Sequence, residues 1–169
     1  MSAEKAQHFV ASSPRRPFDY EPEVPLNPLS ELLPEKYTAK SISLEIDKSE
    51  YRLFLVYQGK TIKSYPVVFG FGNGPDKRME GDGATPEGVF KIRNLYPHDR
   101  WGFFVWIDYP NTASRKKHKQ AKAAQEIPQN ATIGGEVGIH GVPAGQDYLI
   151  EQGKNWTAGC ISLRNADIH

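Results

Sequence analysis

The sequence predicts a mainly β fold with one or two helices. Short segments in which apolar and polar residues alternate recur from residue 41 onward, and such alternation is typical of half-buried strands. By contrast, a single segment, Ser114–Glu126, has a clear helical composition. The chain has 169 residues, including 8 Tyr, 8 Phe and 3 Trp, which is enough apolar material for one buried core.

Residues 1–40 differ in composition from the rest of the chain. Six prolines lie between Pro14 and Pro34, and each of them fixes φ and removes a backbone donor. We therefore expect a proline-rich N-terminal arm that lies extended on the domain surface or, alternatively, serves as a linker. One helical turn can form within it, around Asn27–Leu33.

Three strands are expected to form a meander after this arm. Ile42, Leu44 and Ile46 alternate with polar residues, which indicates a strand with one buried face. The next two strands are predicted at Tyr51–Tyr57 and Thr61–Phe69, and the short polar segment between them predicts a tight turn.

The second half of the domain is predicted to alternate loops, strands and one helix. The glycine-rich, polar segment Gly70–Gly83 predicts a mobile loop, whereas Ser114–Glu126 predicts a helix because it contains neither Gly nor Pro. Further short strands are expected at Val89–Arg93, at Phe103–Asp108, up to Ile139 and from Ile161 onward.

Composition also excludes several classes of function. With 21 Lys+Arg against 20 Asp+Glu the net charge is +1, so the chain lacks the basic character of a nucleic-acid-binding protein. A single cysteine cannot form an internal disulfide, a thiolate zinc site or an iron–sulfur site, and we expect neither a metal nor a cofactor. No apolar run is long enough for a signal peptide or a membrane span, which leaves cytoplasmic and exported locations open.

The single cysteine, Cys160, is the candidate nucleophile. A lone cysteine usually packs as a small apolar side chain, but this one follows three small residues, Thr157, Ala158 and Gly159. Small residues let the backbone approach a ligand closely and let amide groups converge on it. A thiol nucleophile also needs donors for the oxyanion, and the Gly159 and Cys160 amides are suitably placed in the sequence.

The thiol also needs a base, and His140 is the best of the five histidines. It ends an apolar segment, is followed directly by Gly141, and lies 20 positions before Cys160, so that a loop can bring the two together. At neutral pH a free thiol is mostly protonated, so a protonated histidine is expected beside it to hold the thiolate. The other histidines lie at the chain ends or in polar segments: His8, His98, His118 and His169.

Four ordered motifs resemble the L,D-transpeptidase catalytic domain, or YkuD, family. The first is Ile139-His140-Gly141 together with T-A-G-C-I-S-L at 157–163, a spacing that puts the cysteine 20 positions after the histidine. The segment Gly83–Ile92 is similar to the family's T-P-x-G-x-F-x-I pattern. Tyr65–Gly70 and Trp106–Asn111 are similar to its early strands and to the stretch before its variable lid. The resemblance assigns residues 41–169 to one β-sandwich catalytic domain.

The resemblance implies a bacterial cell-wall enzyme that needs no cofactor. Cys160 would attack a peptidoglycan tetrapeptide stem, form a thioester, release D-alanine and pass the acyl group to an amine of a second stem, a lipoprotein or a D-amino acid. His140 would be its base and later its proton donor, and the Gly159 and Cys160 amides would form the oxyanion hole. The resemblance further implies inhibition by carbapenems and a periplasmic or otherwise extracytoplasmic location.

Two positions depart from the common family pattern. Many members carry histidine where this chain has Ala158, and arginine where it has Ser162; Arg164 is the nearest substitute for that arginine. We expect the substrate to contact Gly141, Trp156, Thr157, Ala158, Ser162 and Arg164. The acceptor is left open, so two alternatives stand: an L,D-carboxypeptidase or amidase, and a non-catalytic peptidoglycan-binding domain in which Cys160 merely packs.

Overall fold

The computed structural model describes residues 9–10, 29–34 and 36–169, and the rest of the predicted N-terminal arm lies outside the described residues. Helix α1 (Leu29–Leu32) falls within the segment predicted to form one helical turn. Strand β1 (Phe9–Val10) pairs in parallel with Ile46 and Asp47. At least part of the arm therefore extends a sheet of the domain.

The first sheet is the predicted meander, with strand order β1-β2-β3-β4. Strands β2 (Ile42–Asp47), β3 (Arg52–Tyr57) and β4 (Lys60–Pro66) pair antiparallel with their neighbours. Their apolar side chains alternate with polar ones because successive side chains of a strand point to opposite faces.

The second sheet has the order β5-β6-β7-β8 and carries the predicted site residues. Its strands are β5 (Ile92–His98), β6 (Gly102–Ile107), β7 (Gly138–His140) and β8 (Ile161–Ser162). The strand expected at Val89–Arg93 begins three residues later, since Pro86 and Gly88, with φ of 141°, keep the preceding segment irregular. Strands β7 and β8 pair in parallel.

Among the described residues, α2 (Thr112–Ala123) is the helix longer than one turn. It begins two residues before the predicted start because the Asn111 side chain caps it by accepting the Ser114 N–H. Two one-turn helices, α3 (Tyr148–Glu151) and α4 (Asn165–Ile168), flank the loop that carries Cys160. No helix in the described part of the chain is both long and apolar enough to span a membrane.

The two sheets pack face to face around a shared core, which makes the domain a β-sandwich. Leu53, Leu55 and Tyr65 of the first sheet pack with Val105 and Ile139 of the second. The chain then crosses from β4 toward β8, since isolated bridges join Val68 to Ser162 and Gly70 to Thr157. These bridges hold the segment after β4 against the loop that carries Cys160, so both sheets position the site.

Candidate active site

Parallel pairing of β7 with β8 places Cys160 and His140 in neighbouring segments of the second sheet. His140 ends β7 and lies opposite Ser162 of β8. Cys160 directly precedes β8, two positions before Ser162. A backbone hydrogen bond from Gly138, two residues before His140, also reaches the thiol.

An aromatic cage surrounds the imidazole of His140, which is only 2 % exposed. Trp101 and Phe104 stack on it, with ring centroids 4.5 and 5.6 Å away, and Trp156 meets it edge-on at 5.7 Å. Its Nδ1 lies 2.6 Å from the carbonyl oxygen of Gly141. A carbonyl can only accept, so Nδ1 carries the hydrogen and Nε2 of the neutral ring is left as a proton acceptor.

Burial holds the imidazole of His140 neutral. It lowers the pKa of His140 to about 4, although the Gly141 carbonyl opposes the shift, and the nearby His98 lowers the pKa further. The protonated histidine expected from the sequence is therefore absent at neutral pH. His140 is suited to act as a general base rather than as one half of a resting ion pair.

The thiol of Cys160 is partly exposed and is protonated at rest. Burial raises its pKa; the hydrogen bond from Gly138 and the Lys77 ammonium work against this, and the Glu136 carboxylate adds to it. Sγ lies 3.6 Å from the carbonyl oxygen of Glu136 and donates a weak hydrogen bond to it. Both members of the pair are thus uncharged before reaction.

The hydroxyl of Thr157 shapes the loop around the nucleophile. It donates to the Cys160 carbonyl at 2.6 Å and accepts the Gly159 N–H at 3.2 Å. The Gly159 amide, expected to serve the oxyanion hole, is therefore already engaged. Among the described residues the Cys160 N–H has no partner, which leaves it available to a ligand.

The small size of Gly159 was expected to let a ligand approach. In the structure it also lets the backbone pack closely against neighbouring segments of the chain. Its φ is 142°, and a Cβ added there would lie 2.8 Å from the Ala84 carbonyl oxygen. A Cβ on Gly70 would lie 3.0 Å from the Gly159 Cα. Thr85 fixes this arrangement, since its buried Oγ1 accepts the Gly70 N–H at 2.9 Å. Three backbone segments meet here with no room for a side chain.

Comparison with protein families gives one match, to the L,D-transpeptidase catalytic domain, YkuD, over residues 41–169. This chain belongs to the YkuD family. Comparison with curated protein sequences gives no significant match. The match confirms the resemblance seen in the sequence motifs and covers both sheets apart from strand β1.

Comparison with solved structures shows similarity to two further proteins. The structure of Bd1075 from Bdellovibrio bacteriovorus has a TM-score of 0.52 and 18 % identity, covering 76 % of this chain and 41 % of that chain. The crystal structure of the helical cell shape determining protein Pgp2 from Campylobacter jejuni has a TM-score of 0.48 and 26 % identity, covering 72 % and 39 %. This chain thus spans less than half the length of either protein.

Of the positions expected to contact substrate, Ala158 alone is exposed, two positions before Cys160. Ser162 is completely buried, and its Oγ donates to the Gly141 carbonyl at 3.3 Å. This is the same carbonyl that accepts the hydrogen bond from His140 Nδ1. Arg164 binds Asp167 of α4 through Nε at 2.7 Å. In this structure the Ser162 side chain is therefore closed to solvent, and Arg164 is held by α4; contact of either residue with substrate stays a prediction.

Trp156 and Thr157, also expected to bind substrate, lie close to the predicted catalytic pair. Trp156 contacts the His140 ring and packs on the apolar cluster that contains Val142 and Ile150. Thr157 is buried and bonds within its own loop. Trp156 therefore supports the His140 ring and Thr157 supports the loop of Cys160, and their contact with substrate stays a prediction.

The loop at 70–83, predicted to be mobile, is anchored by two carboxylates. Asp76 accepts hydrogen bonds from Lys117 Nζ of α2 and from the Glu87 N–H, both at 2.7 Å. Asp82 accepts from Lys77 Nζ at 2.8 Å. It also accepts from the backbone N–H groups of Arg78, Met79 and Ala84. This anchored loop packs against the loop that carries Cys160, through Gly70 and the adjoining Ala84. In the sequence, nothing distinguished Lys77 from its charged neighbours.

Acid is expected to destabilise the folded domain through His140. An unfolded histidine titrates near 6.5, whereas the folded one titrates at about 4, so between these values only the unfolded chain takes up the proton. The free energy of unfolding should therefore fall as the pH drops through this window, by about 3 kcal/mol in all. Urea unfolding of the wild type and of His140→Gln at pH 7 and pH 5 measures the effect.

The glutamine variant serves as the reference for that measurement because it lacks the titrating ring. It should lose less stability between pH 7 and pH 5 than the wild type does. Equal losses in the two proteins would show that the His140 imidazole is not held neutral by burial.

Proposed function

We propose that this domain is a cysteine-dependent L,D-transpeptidase that acts on peptidoglycan stem tetrapeptides. Sγ of Cys160 attacks the carbonyl carbon of the residue before the terminal D-alanine, while Nε2 of His140 takes the thiol proton. The C–S bond forms, the C–N bond breaks, and the proton passes to the amine of the departing D-alanine. An acceptor amine then attacks the thioester, returns a proton to sulfur through His140, and carries the acyl group away.

The neutral His140 ring held by the Gly141 carbonyl is the observation that carries this proposal. With Nδ1 committed to that carbonyl at 2.6 Å, Nε2 has a lone pair, and the low pKa keeps it free of a proton at neutral pH. A general base must have this state before reaction. A cysteine that only packs in the core would not need a nearby imidazole whose Nε2 is held free to accept a proton.

The unpartnered Cys160 N–H supplies the first oxyanion donor in this proposal. Each such donor is worth about 10²–10³ in rate in comparable enzymes, because it faces charge that develops only in the transition state. The Gly159 N–H can contribute as a second donor when the Thr157 hydroxyl releases it or shares it. Work on peptidoglycan places the enzyme outside the cytoplasmic membrane, with no nucleic-acid partner and no cofactor in the chemistry.

Product analysis tests the proposal. The protein is incubated with disaccharide tetrapeptide muropeptides, with and without an added D-amino acid, and the products are identified by mass spectrometry. Transfer predicts release of D-alanine together with crosslinked or D-amino-acid-exchanged stems. Stems shortened without a new bond would instead indicate the carboxypeptidase alternative. Unchanged muropeptides would contradict both, and Cys160→Ala is the inactive control.

Carbapenems offer a covalent probe of the same site. In this proposal the thiol opens the β-lactam ring and keeps the acyl group, so the intact mass of the wild type rises by one carbapenem. The mass of Cys160→Ala stays unchanged because it lacks the only thiol of the chain.

A further inference from the structure

Lys77 is a buried cation beside the loop that carries Cys160. Its side chain is only 5 % exposed, and its Nζ donates to Asp82 Oδ1 at 2.8 Å. A buried ammonium is costly unless its charge is compensated, so a lysine kept at such a place calls for a functional explanation.

Asp82 compensates this charge only in part, since its carboxylate is shared among several donors. Its Oδ2 accepts the N–H groups of Arg78 and Met79, at 2.7 and 3.0 Å, and its Oδ1 accepts the Ala84 N–H besides the ammonium. These hydrogen bonds outweigh burial and lower the pKa of Asp82. The ammonium has three hydrogens, and Asp82 is its one partner among the described residues.

The Lys77 ammonium lies against the backbone of residue 159, which is glycine. A Cβ at Gly159 would lie 3.6 Å from Nζ of Lys77, and the glycine places no side chain there. Gly159 directly precedes Cys160, and the positive charge of Lys77 acts on the thiol, lowering its pKa against the effect of burial.

No other cation shown near the nucleophile takes this role. The position that carries arginine in many YkuD members is Ser162 here, and it is completely buried. Arg164 is bound to Asp167 of α4. Lys77 and Glu136 are the charged groups that act on the thiol, and Asp82 is the carboxylate bound to Lys77. The His140 imidazole is neutral at rest, so Lys77 is the positive charge at this site.

We propose that the Lys77 ammonium belongs to the active site and stabilises the negative charge that develops on Cys160, first as the thiolate and then on the oxyanion of the attacked carbonyl. The oxyanion part rests on the proposed function, whereas the thiolate part concerns the cysteine alone. The ammonium compensates for the arginine that is missing at position 162. Sharing the Asp82 carboxylate with three backbone donors keeps the ammonium fixed without neutralising it.

Titration of the thiol tests the proposal without any peptidoglycan. The rate of Cys160 alkylation by iodoacetamide is measured from pH 6 to pH 10, since only the thiolate reacts. Lys77→Met should move the titration curve to higher pH. If the midpoint of the curve moves up by about one pH unit, alkylation at neutral pH is about tenfold slower. Lys77→Arg, which keeps the charge, should titrate close to the wild type.

Lys117→Met is the matched control. It removes the other lysine–aspartate pair of the same loop, with Asp76 at 2.7 Å, at a place that does not act on the thiol. Its alkylation profile should match the wild type. If Lys77→Met also matches the wild type, or if Lys117→Met displaces the profile equally, the proposal is overturned.

A double variant guards against simple misfolding. Lys77→Met leaves Asp82 without its cation, so Lys77→Met with Asp82→Asn removes both charges and keeps one side-chain oxygen that can accept backbone N–H groups. A folded double variant, checked by near-UV circular dichroism, must still show the displaced profile. Failure of the titration would overturn the role of Lys77 and leave the proposed function standing. Unchanged muropeptides would overturn the function and the oxyanion part of the role of Lys77, and would leave the thiolate part standing.

Discussion

Replacing His140 with glutamine is expected to slow release of D-alanine from tetrapeptide stems by about 10²–10⁴-fold at neutral pH, the usual contribution of a positioned general base. Burial raises the pKa of the Cys160 thiol, so the thiol is protonated at rest and its proton must be removed during the attack. Nε2 of His140 is the acceptor in our proposal, and a glutamine amide cannot take that proton. Single-turnover release of D-alanine, followed by mass spectrometry, measures the loss.

His98→Gln is the matched control for this prediction. His98 also stacks on the Trp101 ring, with centroids 4.4 Å apart, and it lies outside the segments that pair at Cys160. This variant should keep most of the activity. Raising the pH should partly rescue His140→Gln because the thiol then ionises without a base. Wild-type release by His140→Gln would contradict a general base at this position.

The sheets could be predicted because alternation is a local property of the sequence. The meander of β2, β3 and β4 follows the apolar pattern directly. The start of β5 was predicted three residues too early. Several outward side chains of this strand, such as Leu95 and Ile92, are apolar, and they blur the alternation of apolar and polar residues. Helix α3 is a single turn of four residues, too short to show a period.

The identities of the candidate nucleophile and base could also be predicted from the sequence, but their state could not. The motif around Cys160 and the position of His140 predicted the pair, whereas the neutral imidazole depends on Trp101 and Phe104, which come from β6 and the hairpin before it. Such contacts join distant segments, and no local pattern encodes them. The sequence alone therefore predicted an ion pair where burial favours two neutral groups.

The same limit applies to Lys77 and to Ser162. The charge of Lys77 is visible in the sequence, but its burial beside Gly159 follows only from the fold of the loop around Asp82. Ser162 occupies a position that contacts substrate in the resemblance, yet strand pairing buries it under His140. Spacing along the chain gives the order of motifs, while pairing between strands decides which side chains reach the cleft.

Replacing Gly159 with alanine is expected to lower both stability and activity. The residue has φ of 142°, which a side chain disfavours, and its Cβ would lie 2.8 Å from the Ala84 carbonyl oxygen. Strain at such a position costs about 1–3 kcal/mol, and the collision forces the loop before Cys160 away from the Ala84 segment. Because misplacing reacting groups by about 1 Å can cost about 10²-fold, acylation should fall at least that much.

Gly81→Ala separates backbone strain from crowding. Gly81 has a φ of 79° in the loop 70–83, which directly precedes Ala84, but a Cβ there meets nothing within 4 Å. It should therefore cost about 1–2 kcal/mol through strain alone and leave acylation near the wild-type rate. Urea unfolding and D-alanine release are measured for both variants. If Gly159→Ala were no worse than Gly81→Ala in either measurement, close packing of Gly159 on Ala84 would not hold the nucleophile in place. If Gly159→Ala loses more activity than its loss of stability explains, this packing sets the position of Cys160 relative to His140 and Lys77.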